Sequence, residues 1–383
     1  MGGFGYAIGS KFIKHPQGGG GGSSTSFISE WDTTKAGSAS DTVILPLLSG
    51  GTYSGTINWG DGNESALSYV NRTHVYSSSG VYTITISGTI EGFRFGNGGD
   101  KLKITNISNW GNLNITTDQS FFGCANMNSS AVDAPTISTT TLSYTFYGCS
   151  VFNGVVNGWD VSGVSNAERV FMLATSFNKD LSNWDTSSFT NISNMFTNAY
   201  AFNSSLANWD LSIVTDATGF LQGTAFDNNS LNSWNVSNIQ LFNNFFRETD
   251  FNQDISGWRL TSATRVDQMF YDNQYFNQDI SGWGVSSVTR MDYFLFNGDA
   301  FDQDLSSWDI NQVSNFASFL QSALGLSTAN YDALLIAWDA QGAMSYSGTV
   351  NFGGSKYTSG GAAEAARTSL ISKWGGIVDG GPA

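Results

Sequence analysis

The groups in this sequence whose type and spacing could do chemistry are carboxylates. Asp180, Asp254, Asp279 and Asp304 occupy one position of a recurring motif, Phe-Asn-x-Asp in its commonest form, the last three in consecutive repeats. Like charges directly opposite on neighbouring rungs repel. Each carboxylate must therefore accept backbone N–H groups at a turn, face water, or share a hard cation such as calcium. Turn capping is the preferred reading, and Asp254, Asp279 and Asp304 are the candidate calcium ladder; no other cofactor is implied. Asp185, Asp210 and Asp309 each follow a tryptophan and should point outward on a short strand, which makes them the candidate ligand face. The matching column Asn153, Asn178, Asn203, Asn252 and Asn277 is expected to bond backbone between repeats.

Catalysis fails on inventory. The chain has two histidines and two cysteines, with no HExxH, GxSxG or phosphate-cradling glycine loop. His74 and Asp61 form a tempting pair, yet no nucleophile accompanies them. Carboxylate pairs for glycoside hydrolysis can be drawn from so many aspartates that finding one carries no weight. The expectation is a protein that is not an enzyme. Cys124 and Cys149 stand one repeat apart, where Ala174, Ala199 and Thr224 follow in later repeats, so they are expected as small buried residues with free thiols; a disulfide is the geometric alternative.

Charge narrows the partners. A formal net charge of -15 opposes phosphate backbones and anionic membrane surfaces, so nucleic acid is not expected as a partner. No apolar run approaches a bilayer span, and the first residues lack the apolar core of an export signal, so neither membrane insertion nor export is expected from this sequence. Only 12% of residues are charged while 14% are aromatic, with 28 Phe and 12 Trp. Those rings need an extended interior.

The elements that position these groups are repeats. Trp159, Trp184, Trp209, Trp234, Trp258, Trp283 and Trp308 recur every 25 residues, with one step of 24. Phe152, Phe177, Phe202, Phe251, Phe276 and Phe301 stand seven residues earlier, and Phe171, Phe196, Leu221, Phe246, Phe270, Leu295 and Leu320 stand twelve later. Trp110 and Ala134 extend the register backwards to about nine repeats. A period of this length predicts a solenoid. Within one unit, residues 184–187 alternate as a short strand and Ile192 to Phe196 reads as a helical turn. At the C-terminal end, Ser327 or Thr328 can cap a helix with Tyr331, Leu334, Leu335 and Trp338 on one face, and a second helix is expected over Ala362 to Trp374.

Two stretches carry family resemblances. The repeats, typified by Phe276-Asn-Gln-Asp279-Ile-Ser-Gly-Trp283 and Met195-Phe196-Thr-Asn-Ala199, resemble those of BspA-like leucine-rich-repeat bacterial surface proteins. That resemblance implies parallel strands on one face and a role in surface adhesion. Arg259 and Gly284 interrupt the acidic column after tryptophan. Upstream, Trp59-Gly60-Asp61-Gly62, His74-Val75-Tyr76 and the alternating Tyr82, Ile84 and Ile86 resemble the immunoglobulin-like polycystic kidney disease (PKD) module, whose motifs the resemblance implies to be structural.

The expected organisation is therefore a docking peptide and Gly-rich linker at 1–26, a PKD-like β-sandwich at 27–97, an α/β leucine-rich-repeat-like solenoid at 98–322 and a helical C-terminal cap at 323–383. Phe4, Tyr6, Ile8, Phe12 and Ile13, ahead of the run Gly18 to Gly22, are the candidate assembly contacts, a disordered tail being the alternative reading of the same residues. Repeats of an adhesin type without an export signal fit a bacteriophage virion component: a tail fibre, head fibre or capsid decoration. It would contact other virion proteins through residues 1–24 and a host cell-surface glycan or protein through the repeats. The alternative is a bacterial cell-surface adhesin, and a homo-oligomer is left open in either case.

Overall fold

The computed structural model describes residues 25–228, 230–342 and 345–383. Its strands begin where alternation is strongest. In β1 (Phe27–Asp32), Phe27, Ser29 and Trp31 are buried and their neighbours face outward. In β6 (Val81–Glu91), Ile84, Ile86 and Ile90 are buried. These two strands pair antiparallel, and β3 (Tyr53–Asn58) flanks β6 on its other side and pairs in turn with β4 (Glu64–Ala66). Gly55 and Gly88 face each other at positive φ, where a β-carbon on either would run into the carbonyl of Ser87 or Ser54. A short pair, β2 (Thr42–Ile44) with β5 (Thr73–Val75), stands apart.

The main sheet does not stop at residue 97. Strand β7 (Ile104–Asn109) pairs antiparallel with β1, β8 (Leu113–Ile115) runs parallel to the end of β6, and β9 (Asn128–Ser129) and β10 (Thr136–Ile137) add in parallel, giving the order β10-β8-β6-β1-β7-β9. Buried Lys103 pins this junction by donating to the carbonyls of Ala39 and Thr42 at 2.7 Å. Buried Asp100 accepts the backbone N–H of Ser38 and Ile44 at 2.6 Å.

The expected fold class is corrected by these elements. The regular secondary structure is mostly strand in open sheets rather than a PKD-like β-sandwich followed by an α/β leucine-rich-repeat-like solenoid. Among the described residues there is no helix before Thr328, and between Ile137 and Thr328 the only β-pairing is a chain of single parallel bridges through Thr141, Asn166, Asn191, Asp216, Leu241, Arg265, Arg290 and Asn315. The helical turn expected at Ile192 to Phe196 fails for a reason visible in its donors. The N–H groups of Ile192, Asn194, Phe196 and Asn198 all donate to the next repeat, to the carbonyls of Asp216, Thr218, Phe220 and Gln222 at 2.6 to 3.1 Å. Those of Met195, Thr197 and Ala199 close turns three residues back. No donor is left for the i−4 carbonyl that an α-helix requires.

Two residues per repeat take left-handed backbone to make this alternation work. Tyr144, Arg169, Asn194, Gly219, Asn244, Gln268, Tyr293 and Ser318 have φ between 56° and 62°. Four residues on, Gly148, Leu173, Asn198, Gly223, Glu248, Asp272, Asn297 and Ser322 have φ between 57° and 70°. The strand expected at 184–187 also bends: Asp185 accepts the Ser187 N–H, and Phe189 N–H returns to the Thr186 carbonyl.

Aromatic columns fill the interior. Phe146, Phe171 and Phe196 stack at 5.5 and 5.6 Å, and Phe152, Phe177, Phe202 and Phe226 at 6.0 to 6.1 Å. Each such buried side chain contributes about 1.5 to 3 kcal/mol relative to exposure, available only when the neighbouring repeat covers it.

Among the described residues helices appear only at the C-terminal end, and the expected helical cap is reduced to two short helices that share the end with two strands. α1 (Thr328–Asp339) buries Tyr331, Leu334, Leu335 and Trp338 and is capped by Ser327, whose side chain accepts the Asn330 N–H. α2 (Ala362–Trp374) buries Ala363, Ala366, Leu370 and Trp374. Between and after them, β11 (Gly348–Asn351) pairs in parallel with β12 (Gly375–Val378), so the end is closed by strand as well as helix. Among the described residues no helix is long and apolar enough to cross a membrane.

Candidate functional site

Most polar residues that recur in the repeats are spent on neighbouring repeats. The N–H of Asn153 donates to Asn128 Oδ1, Asn178 to Asn153, Asn203 to Asn178, Asp227 to Asn203, Asn252 to Asp227, Asn277 to Asn252, Asp302 to Asn277 and Ser327 to Asp302, all at 2.8 to 3.1 Å. The last rung is thus the N-cap residue of α1. The indole N–H groups of Trp184, Trp209, Trp234, Trp258, Trp283 and Trp308 donate to carbonyls of the preceding repeat at 2.8 to 3.3 Å. Trp338 of α1 continues the series to the Leu305 carbonyl. These residues are framework.

The carboxylate column is framework too. Asp254, Asp279 and Asp304 each accept the backbone N–H two residues on, from Ser256, Ser281 and Ser306 at 2.8 to 2.9 Å. Ser281 holds the Asp279 carboxyl below its usual range, through its hydroxyl first and its N–H second, against a small opposing effect of burial. Asp180 caps Ser182 in the same way. Among the described residues no three His, Cys, Asp or Glu come close enough to hold a metal ion, so the candidate calcium ladder is not gathered into one site.

The ligand-face candidates divide. Asp185 and Asp210 line one groove of about 790 Å³ with Ser182, Asn183, Trp184, Ser187 and Asn208. Asp309 lies four repeats farther on, accepting from the N–H and side chain of Asn311. Phe4, Tyr6, Ile8, Phe12 and Ile13, the assembly-contact candidates, fall outside the described residues.

His74 and Asp61 do meet, with Nε2 2.8 Å from Oδ2. His74 also stacks on Trp59 at 4.8 Å and meets Tyr76 edge-on at 4.6 Å. Burial opposes ionisation of Asp61, but hydrogen bonds from His74 and Asn63 outweigh it and hold the carboxyl at about 2. Among the described residues the side-chain hydrogen bonds of the pair run only to each other and to Asn63, and they tie the turn after Trp59 to β5. Cys124 and Cys149 are buried free thiols, pushed above their ordinary range chiefly by burial.

One surface feature was missed in the sequence. Arg169 lies over Tyr144, which packs with Tyr147 and Phe122. The pattern recurs where Arg247 lies 4.1 Å over Tyr271, which stacks on Phe296 at 4.6 Å. The register was available, since Tyr147, Arg247, Tyr271 and Phe296 share one column, but only the turn geometry shows that this column faces outward.

Comparison with known proteins adds one finding. A family profile described as "Mycoplasma protein of unknown function, DUF285" matches residues 115–232 and 220–333, together more than half of the chain. No curated protein and no solved structure matches.

Proposed function

The chain belongs to the DUF285 family, a membership compatible with a BspA-like surface protein, and from that premise we propose that it is a non-enzymatic adhesion scaffold that holds a surface glycan on the outer positions of its repeats. The observation that carries this reading is the division of labour within the repeat. Recurring Asn, Trp and Asp groups are consumed between repeats or in their own turns, while the position after each ladder tryptophan varies through Asp160, Asp185, Asp210, Asn235, Arg259, Gly284 and Asp309 and is exposed in all but Gly284. A frame of this kind gives an extended surface whose residues can change without loss of the fold. In this reading residues 27–97, with their PKD-like Trp59 and His74 motifs, act as a spacer. The test is retention of the full chain on immobilised cell-surface polysaccharide. Saturable retention supports the reading; passage through the column unretained overturns it.

The cell surface is the first setting proposed, because it is the one the family membership is compatible with. The virion setting, as a tail fibre, head fibre or capsid decoration, rests on Phe4, Tyr6, Ile8, Phe12 and Ile13 ahead of a glycine run. Mass spectrometry of purified virions and of washed cell envelopes from the source culture separates the two: recovery in particles establishes the virion setting, and recovery only in envelopes removes it.

A further inference from the structure

The groove at Trp184 contains a residue pattern found at no other pair of adjacent tryptophans. Asn183-Trp184-Asp185 and Asn208-Trp209-Asp210 repeat the triplet Asn-Trp-Asp on consecutive rungs. The equivalent triplets elsewhere are Gly158-Trp159-Asp160, Ser233-Trp234-Asn235, Gly257-Trp258-Arg259, Gly282-Trp283-Gly284 and Ser307-Trp308-Asp309. The groove of about 790 Å³ coincides with the doubled triplet, a volume within the range of roughly 300 to 1,000 Å³ typical of small-ligand sites.

Its polar groups are only partly used. Asp185 Oδ1 accepts from Ser187, and Asp210 Oδ1 accepts from the Ser212 N–H, which leaves the second oxygen of each carboxylate free to accept at a residue that lines the groove. Asn208 donates to the Ser182 carbonyl through its Nδ2, leaving its Oδ1 to accept. The Asn183 backbone N–H is taken by Asn157, while its amide side chain lies at the groove. The result is two acceptor carboxylates and two amides lining one groove above the buried Trp184.

We infer that this groove is a saccharide subsite that takes a neutral sugar with vicinal hydroxyls. The inference rests on the adhesion reading above and locates it on two rungs. Closely spaced hydroxyls need acceptors and donors at hydrogen-bond distance, which the free carboxylate oxygens of Asp185 and Asp210 and the amides of Asn183 and Asn208 supply. Paired carboxylates on a chain of net charge -15 repel uronic and sialic acids. A neutral sugar fits both conditions.

The test uses the full chain and three soluble probes: mannan, dextran and polygalacturonate. Because Asn183 and Asn208 are exposed, N183A with N208A should leave folding intact, which the thermal unfolding midpoint checks. D309N is the control on a distant rung. The expected result is binding to at least one neutral polymer, weakened about tenfold or more in the double variant, unchanged in D309N, and not competed by polygalacturonate. A double variant that binds the neutral polymer as tightly as the parent overturns the subsite while leaving the adhesion reading standing. Equal competition by polygalacturonate overturns the neutral-sugar assignment, and a parent chain that retains no cell-surface polysaccharide overturns both.

Discussion

Replacing Gly219 with alanine and Ser322 with glycine should move stability in opposite directions. Gly219 has φ of +59° and Ser322 of +68°, both in the left-handed columns. An L-residue there costs about 1 to 2 kcal/mol relative to ordinary backbone. Glycine's extra freedom in the unfolded chain offsets about 0.4 to 1 kcal/mol of that. Gly219→Ala should therefore destabilise by about 1 kcal/mol, with its new β-carbon displacing the Asn194 side chain 2.6 Å away. Ser322→Gly, at an exposed position, should stabilise by about 0.5 to 1 kcal/mol. Urea unfolding followed by tryptophan fluorescence reads both as shifts of midpoint at constant slope. In a helical turn the signs reverse, because alanine there is better than glycine by roughly 1 kcal/mol. A stabilising Gly219→Ala together with a destabilising Ser322→Gly would refute the left-handed turns and restore the helix.

Three further outcomes follow from the interior and the carboxylates. Thr145 is fully buried and its hydroxyl has no partner, so Thr145→Val should stabilise by about 1 to 2 kcal/mol in the same urea assay; no change would mean the hydroxyl is satisfied. Trp234→Phe removes the bond to the Leu206 carbonyl and part of a buried ring, and should lower stability by about 2 to 3 kcal/mol, whereas a cost under about 0.5 kcal/mol would contradict the indole ladder. The carboxyls of Asp61, Asp160, Asp279 and Asp302 lie below their unfolded values in the folded chain. Their contribution is thus present above about pH 4 and lost as pH falls toward about 2. The urea midpoint should decline across that window, and a rise there would show the sign to be wrong.

What the sequence made legible was period and column. Trp184, Phe177 and Asn178 could be placed in register because each repeat must bury or bond the same groups, and residues 25 apart do meet. What it hid was the backbone between columns. Ile192, Met195 and Phe196 fit a helical turn by apolar spacing, yet alternate N–H groups reach the next repeat, a long-range choice no local window contains. The end of the first sheet was hidden for the same reason, since β7 to β10 pair with strands up to 81 residues away in sequence, the span from Ile28 to Asn109. At the candidate site, Asp185 and Asp210 were legible as outward groups after tryptophan. The asparagines that complete their groove were not, because Asn183 and Asn208 look like ordinary turn residues until the two rungs are set side by side.

Binding of the full chain to intact bacterial cells, before and after mild periodate oxidation of their surface sugars, tests the adhesion reading most directly. Saturable binding that oxidation abolishes is the predicted result. Binding that survives oxidation unchanged, or no binding to any glycan-bearing surface, would contradict it.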